Sequence, residues 1–583
     1  MSMKDSDTTS VSTGVSYEPK TLVLSSTHGS ESSKRYIQRT QTNGSLYKVI
    51  SGIQDDRELD RKDSYLPTGQ EVADVIEEIS RPQSRSAQAG SMLENSDERS
   101  NDHSDITPDE VDAPKPDTGY AWFMAVCGLL AVFSTWGSNA SFGVFLNFYT
   151  SHDTFPEAGK YDYALIGGIV MFCAQFLAPF SILIYQVVGH RPLMILGVCL
   201  QTAGYILASF ATRLWQLYLT QGLLVGLSFV MVFLPATMIV PTWFDKYIAT
   251  CMGIMVSGAG VGGLVFSLSL NKVMEQTGDQ RWALRMVGFI CLFTAIIPAV
   301  FLKNRTKSAA QLTPLRQRLT RKYISQHARV IFDFSVFNNY ALICVAFWFA
   351  ICLLGYTLML YSTSSYAKSV GLSDQQGSSL TSIMNAAQIV GRPLMGLTSD
   401  AFTGRSTFAS GISFLIGILL LAWWINADSY GSLIAFVVVI GLVIGVGSTM
   451  AQSLASDILK GQRVASAWCG MNMLVGMTTL VAEVIALALV RPDSSNPYLH
   501  TQIFSGCCFL FCGILALIAR EYLVRRKLHE RQENALNHCE EVAPSKDGDD
   551  EKEIIQSRIS RYQILLKRSL FAFFIRCFYP IKA

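Results

Sequence analysis

Twelve stretches of mostly apolar residues, each long enough to cross a bilayer, follow one another between residues 121 and 523. About 20 apolar residues are needed to cross roughly 30 Å of hydrocarbon, and a helix can satisfy its own backbone hydrogen bonds there. The stretches lie at 121–145, 163–188, 193–211, 214–240, 249–273, 284–301, 340–360, 378–399, 408–425, 432–455, 465–489 and 503–523. We therefore expect an all-α membrane protein with twelve transmembrane helices.

The first 116 residues differ in composition from this membrane body. They are rich in Ser, Thr, Asp, Glu and Gln, whereas half of the 583 residues in the whole chain are hydrophobic and only 16% are charged. Such a segment buries too little apolar surface to fold alone, so we expect residues 1–116 to be a disordered tail. Its Ser and Thr residues suit phosphorylation and binding of kinases or trafficking proteins, and a plain spacer is the alternative.

The charges of the loops predict how the chain is oriented. The segment 303–339 joins the sixth and seventh apolar stretches and carries eight Lys or Arg residues but a single acid, Asp333. Because cytoplasmic loops are rich in Lys and Arg, this linker and both chain ends are expected in the cytoplasm. The body then divides into two six-helix halves, 117–302 and 340–523. The tail 524–583 includes a candidate amphipathic helix within 554–578 that would lie on anionic lipid.

Several function classes find no support in the sequence. A net charge of +2 with no basic face argues against a nucleic-acid partner. The thirteen Cys show no metal-ligand spacing, and no P-loop motif is present. The eight His form no ligand pair inside a predicted helix. We therefore predict neither an enzyme nor a cofactor or metal site.

Three segments carry a resemblance to a known family. Residues 117–122 (Asp, Thr, Gly, Tyr, Ala, Trp) precede the first helix, and residues 243–247 (Trp, Phe, Asp, Lys, Tyr) precede a glycine-rich helix. Residues 388–393 (Gln, Ile, Val, Gly, Arg, Pro) lie in the eighth helix. Together they resemble the monocarboxylate porter family of the major facilitator superfamily, and especially its fungal branch. The resemblance implies two parallel six-helix repeats around a solute site at mid-membrane.

The chain departs from that family where charge matters. Gln388 stands where transporting animal members have an acid, and Ala140 stands at the position of their helix 1 lysine. By resemblance, the gating loops of the superfamily correspond to Asp117, Gly189, Arg191, Asp400 and Arg405. In the first half, the acid position of the loop after the second helix holds a glutamine.

Two charged residues stand out because they lie inside predicted helices, away from the helix ends. A charge at bilayer depth costs about 2.5–3.5 kcal/mol on insertion scales, so each is a functional candidate. Arg392 could bind a carboxylate through two parallel hydrogen bonds, or it could bond to backbone carbonyls as a structural group. Glu483 is a candidate proton-coupling group, and a carboxyl hydrogen-bonded to a neighbouring helix is the alternative. We do not expect them to contact each other.

Uncharged polar residues complete the expected substrate site. These are Asn139, Asn385, Gln388 and Asn472, with Tyr356 as an aromatic candidate. Each could instead stabilise the contact between two helices. We expect a secondary or facilitative transporter of a small organic solute, with a monocarboxylate first and riboflavin or another larger solute second. Proton symport is a hypothesis that rests on Glu483. A transporter-like sensor that moves nothing is the alternative of another class. The resemblance favours the plasma membrane over the vacuole.

Overall fold

The computed structural model describes residues 49, 52–53, 55–56, 59, 114–151, 159–305, 314–459, 463–491, 494, 496–541 and 546–581. The regular structure in these segments is helical. The predicted tail 1–116 therefore lies mostly outside the described residues.

Each of the twelve predicted apolar stretches coincides with a helix or with a bent pair of helices. We number them α1 (Gly119–Leu146), α2 (Lys160–Phe176 with Ala178–Val188), α3 (His190–Ala208), α4 (Leu214–Trp243), α5 (Ile248–Thr277), α6 (Gln280–Phe301), α7 (Tyr340–Ser369), α8 (Asp374–Thr398), α9 (Arg405–Asn426), α10 (Tyr430–Ile458), α11 (Arg463–Ala488) and α12 (Leu499–Glu541). Most of the helices begin before the predicted bounds, because polar residues form the first turn ahead of the apolar stretch.

Not every helix is equally apolar. In the described segments, ten helices are long and apolar enough to span a membrane, and α2 makes eleven if its two parts form one span. These parts meet at an angle of 49°, and Pro179 near the start of the second part lacks the N–H that would continue the first. The remaining helix, α8, is more polar because it carries Asn385, Gln388 and Arg392.

The two six-helix halves meet most closely where α5 packs against α8. A β-carbon at Gly260 would lie 2.8 Å from the carbonyl oxygen of Asn385, and one at Gly263 would lie 2.9 Å from the amide nitrogen of that side chain. Glycine at these positions lets the two backbones approach, as small residues do between membrane helices. This contact positions one wall of the central cavity described below.

One end of the bundle, which we call the basic end, holds the ends of α2, α4, α6, α8, α10 and the linker. There a linker helix (Arg321–Ile331) packs beside α2 and α11. Ser466 of α11 donates a hydrogen bond to the carbonyl oxygen of Val330 (2.5 Å), and Arg318 donates to that of Val187 (3.1 Å). The linker therefore contacts both halves.

Two further helices, α13 (Lys546–Leu566) and α14 (Leu570–Phe578), pack on the extension of α12 at the basic end. They hold part of the N-terminal tail. Asp56 is fully buried, and its carboxylate accepts hydrogen bonds from Tyr562 (2.6 Å), Arg561 (3.1 Å) and Tyr579. We call this contact the terminal clasp. Composition alone did not predict it.

Asp55 adds a second acid to the terminal clasp. It pairs with Arg558 at 2.6 and 2.8 Å and with Arg561 at 3.0 Å. Burial by itself raises the pKa of Asp55, but the hydrogen bonds from the two guanidinium groups outweigh it, so the pKa lies below the ordinary carboxyl value.

The lowered pKa of Asp55 predicts the pH range in which the clasp persists. A carboxylate with a depressed pKa in the folded state stabilises that state above the unfolded pKa of about 3.9 and loses this contribution as the pH falls further. We expect hydrogen-exchange protection at Asp55 and Asp56 to be constant between pH 8 and pH 5 and to fall only below about pH 4. Loss of protection between pH 7 and pH 5 would contradict this reading.

Candidate functional site

A cavity lies between the two halves. It is lined by α1, α2, α4 and α5 from the first half and by α7, α8, α10 and α11 from the second. The lining residues are Trp136, Asn139, Ala140, Met171, Gln175, Phe233, Met252, Val256, Ala259, Phe349, Leu353, Tyr356, Thr357, Leu360, Tyr361, Arg392, Ser448, Trp468, Asn472 and Thr479. The cavity is mainly apolar and aromatic, with one cationic side chain.

That cation, Arg392 of α8, is only 4% exposed. One terminal nitrogen donates to the carbonyl oxygen of Val256 on α5, and the other donates to Oε1 of Gln388 at 2.7 Å. Its Nε has no hydrogen-bond partner among the described protein atoms. No carboxylate lies within ion-pair distance of it in the described segments, where the acceptors of its hydrogen bonds are a backbone carbonyl and an amide oxygen.

Gln388 links Arg392 to two other predicted residues. Its Oε1 also accepts from the hydroxyl of Tyr356 (3.3 Å), and its amide nitrogen donates to Oδ1 of Asn385 (3.4 Å). Both amides are 1% exposed and do not line the cavity. In this structure the two amides lie behind the wall, where α8 turns them toward α5 and α7, and their contact with the solute stays a prediction.

The other predicted polar residues lie on the cavity wall. Asn139 of α1 lines it beside Ala140, the position that holds a lysine in the family resembled. Asn472 donates through Nδ2 to the carbonyl oxygen of Trp468 (2.7 Å), and its Oδ1 lacks a partner among the described atoms. The wall thus offers an acceptor as well as the donors of Arg392.

Sequence reasoning missed several polar residues of this wall, among them Trp136 and Gln175. Trp136 Nε1 and Gln175 Oε1 are buried without a partner among the described atoms, and both residues line the cavity. Gln175 could have been found as an isolated polar residue inside an apolar stretch. Trp136 gave no such signal, because an aromatic residue in a membrane helix usually packs.

Glu483 lies in the last part of α11, the helical segment Ala482–Ala488. Its side chain is outside the part of the chain that the structure describes. The proton-coupling prediction therefore stays a prediction.

Beyond the cavity, the two halves are joined by hydrogen bonds at the basic end. Asp400, which follows α8, accepts from the backbone N–H (2.8 Å) and the hydroxyl (2.9 Å) of Thr250 on α5. Arg405 of α9 donates to Asp400 at 2.8 Å and to Asp457 of α10 at 2.7 Å. We call this group the Asp400 latch. It includes two of the predicted gating residues, and it joins the two halves.

Two more hydrogen bonds close the same end. Gln452 of α10 donates to the carbonyl oxygen of Thr237 on α4 at 2.7 Å. Trp468 of α11 donates its indole N–H to the hydroxyl of Thr237 at 3.3 Å. Together with the Asp400 latch, they hold the halves in contact on the basic side of the cavity.

The gating candidates of the first half have different surroundings. Asp117 accepts from the backbone N–H groups of Lys246 (3.1 Å) and Asp245 (3.4 Å), so it holds the loop between α4 and α5 within its own half. Gly189 forms the one-residue turn between α2 and α3 with φ of +98°, where a side chain would be strained. Arg191 is exposed. None of the three contributes a hydrogen bond between the halves among those described.

The Asp400 latch can be tested by a matched pair of variants. Asp400→Asn removes the charge that Thr250 and Arg405 contact, and hydrogen bonds to charged groups contribute about 1.5–3 kcal/mol. We expect the contact at the basic end to open about tenfold more often. Peptide-resolved maleimide labelling of Cys251, which is fully buried next to Thr250, should speed up accordingly.

Asp457→Asn is the control for that test. It also removes an acid from Arg405, but both of these residues belong to the second half. Labelling of Cys251 should stay near the rate of the unmodified chain. Equal acceleration in both variants would show that Asp400 acts by stabilising its own half and not by joining the two.

Comparisons with known proteins agree with this architecture. The model of the Major Facilitator Superfamily matches residues 124–366 and 343–580. The uncharacterized transporter ESBP6 of Saccharomyces cerevisiae is 40% identical over 472 residues, which cover 80% of this chain and 69% of the relative. The probable transporter MCH2 of the same yeast is 30% identical over 435 residues (72% and 88%). The MFS transporter asaE of Aspergillus flavus is 26% identical over 420 residues (71% and 89%).

Proposed function

This chain belongs to the Major Facilitator Superfamily, a family of membrane transporters and not of enzymes, and we propose that it carries a small organic anion, a monocarboxylate in the first instance. Transport would proceed by alternating access, in which the two halves rock around a fixed site. We also infer that the basic end faces the cytoplasm, since Lys and Arg concentrate there.

The observation that carries this proposal is Arg392. A guanidinium that is always charged is held at the cavity wall, and no acid pairs with it in the described segments. An anionic solute would supply the missing negative charge, and the planar guanidinium matches a carboxylate through two hydrogen bonds. Asn472 and Trp136 could bind the polar remainder of the solute.

The contacts of Arg392 also suggest how binding would be coupled to movement. Arg392 belongs to the second half, but it donates to the Val256 carbonyl of the first half. A carboxylate that drew the guanidinium toward the cavity would compete with this bond. Solute binding and the contact between the halves would then share one side chain, which is a direct way to bias two conformations.

The composition of the wall supports a second candidate solute. Six aromatic residues line the cavity, namely Trp136, Phe233, Phe349, Tyr356, Tyr361 and Trp468. Aromatic walls suit a flat ring, which can stack on their faces. Riboflavin or another ring-bearing solute is therefore the second candidate.

Uptake into cells that lack their own carriers would test both candidates. Labelled lactate, pyruvate and riboflavin would be supplied separately, with and without the full chain. Uptake of a monocarboxylate supports the first proposal, and riboflavin uptake alone supports the second. Binding of a solute to the purified chain without uptake of any would favour the sensor.

Proton coupling through Glu483 needs a separate measurement. We expect uptake to rise as the outer pH falls and to be abolished by a protonophore, with Glu483→Gln removing the dependence on pH. Uptake that a protonophore leaves unchanged would remove this part of the proposal and would leave facilitative transport.

A further inference from the structure

The helix α14 exposes a continuous apolar face at the basic end. Leu570, Phe571, Phe574 and Phe578 are 80%, 49%, 60% and 73% exposed. Their spacing of one, three and four residues places them on one side of a helix. Four large apolar side chains on a nine-residue helix form a patch that a water-exposed surface rarely carries.

The opposite face of α14 is fixed to the bundle. Arg576 is buried and pairs with the buried carboxylate of Glu521 on α12 at 2.6 Å. Arg520 of α12 donates to the carbonyl oxygens of Arg576 (3.0 Å), Cys577 and Tyr579 (2.6 Å) at the end of α14. These bonds hold α14 with its apolar face turned away from α12.

Arg520 also indicates the depth of α14 relative to the spans. Its Nε donates to the hydroxyl of Thr407 at 2.8 Å, and Thr407 lies in the first turn of α9. The end of α14 is therefore level with the boundary of the spans. From this level toward the middle of the bundle, α9 and α12 expose apolar side chains, including Ile418 (56%) and Phe511 (49%). The apolar face of α14 begins where this outer surface of the spans ends.

Basic residues stand directly before this helix. Lys567 and Arg568 are both exposed. Basic residues beside an apolar helical face are typical of a helix that lies in the interface of a membrane with anionic lipids. The basic charge, the depth and the apolar face of α14 thus all favour a membrane surface with anionic lipids as its partner.

We propose that α14 is an in-plane membrane anchor at the basic end. Leu570, Phe571, Phe574 and Phe578 insert at the boundary between headgroups and acyl chains. Lys567 and Arg568 contact anionic headgroups. Through Arg576 and Arg520, this anchor fixes the extension of α12 and the terminal clasp to the bilayer surface.

A photo-crosslinking experiment on the full chain tests the anchor. Benzoylphenylalanine replaces Phe574, and the protein is placed in nanodiscs of phosphatidylcholine with phosphatidylserine. After irradiation, mass spectrometry of the intact chain should show a covalent lipid adduct. The replaced side chain is largely exposed, so the substitution should leave the fold unchanged, which gel filtration would verify.

Leu536 provides the matched control. It is apolar and 43% exposed, but it lies on the extension of α12, roughly 24 Å beyond Arg520 at 1.5 Å per residue. Benzoylphenylalanine at this position should give no lipid adduct. A crosslink from position 574 to a second copy of the chain, or the absence of a lipid adduct there, would overturn the proposal.

The contribution of the basic pair can be measured with the same probe. The double variant K567Q/R568Q should lower the adduct yield at position 574 at least threefold in nanodiscs with phosphatidylserine. In phosphatidylcholine alone, the two chains should give similar yields. If the double variant and the unmodified basic pair gave equal adduct yields in nanodiscs with phosphatidylserine, the headgroup contact would be refuted.

Discussion

Arg392→Ala is expected to raise the KM for an organic anion by about 10- to 100-fold. Hydrogen bonds to charged groups contribute about 1.5–3 kcal/mol, and each 1.4 kcal/mol corresponds to a factor of ten. The variant also leaves Gln388 and the Val256 carbonyl without the donor that they have now. Initial rates of uptake over a range of solute concentrations would measure the change.

Two further variants make this result interpretable. Arg392→Lys keeps the charge but loses the planar pair of donors. Its KM should therefore lie between that of the unmodified protein and that of Arg392→Ala. Arg281→Ala removes an arginine whose side chain is 55% exposed at the start of α6, and it should leave the KM unchanged. An unaltered KM for anions in Arg392→Ala, at normal expression, would refute the proposed anion site. Riboflavin uptake should change less than threefold.

Gly253→Val is expected to reduce transport to less than about a tenth. Gly253 of α5 faces the backbone of α8, where a β-carbon would overlap the carbonyl oxygen of Arg392 and lie 3.0 Å from Cα of Pro393. Neither neighbour is a flexible side chain, so α5 and α8 must separate. The state with the halves in contact at the basic end would become rare, and a carrier needs both of its states.

Gly411→Val is the control for this experiment. A β-carbon at Gly411 of α9 would have no heavy atom within 4 Å, so uptake should stay normal. Gel filtration of both variants would separate loss of folding from loss of movement, and Cys251 should react faster with maleimide in Gly253→Val. Normal uptake by Gly253→Val would show that the contact between α5 and α8 is not needed for transport.

The helical architecture could be predicted from the sequence because the bilayer imposes a simple rule on length and polarity. That rule worked least well for α8, which was predicted as one of the twelve apolar stretches but is too polar to pass the same hydropathy test as the other helices. Its polar residues face α5, α7 and the cavity, and this burial explains why the helix can carry them.

The candidate site could be predicted only in part. Arg392 stood out because it lies well inside an apolar stretch and not at its end. Whether an amide lines the cavity depends on helix rotation, and for this reason Gln388 and Asn385 were expected to contact the solute but lie behind the wall. Similarly, Asp117 and Asp400 look alike in sequence, but only Asp400 joins the two halves among the contacts described.

The terminal clasp could not be predicted, because it joins residues that are about 500 positions apart. An Asp-Asp pair in a polar tail usually indicates only a solvated charge. Its burial depends on three arginines and two tyrosines that α12, α13 and α14 bring together. No local pattern contains that information.

The terminal clasp changes what a cut in the polypeptide would do. Residues 60–113 are bounded on one side by Asp56 in the clasp and on the other by α1, so this segment is a bridge between two attachment points. One cleavage within the bridge would not free the N-terminal fragment, which would remain bound through Asp55 and Asp56 and copurify with the membrane body. Shortening the chain from its start would act differently at two places: removal of residues 1–48 spares the clasp, whereas removal of residues 1–59 leaves Arg558, Arg561 and Tyr562 without their acids.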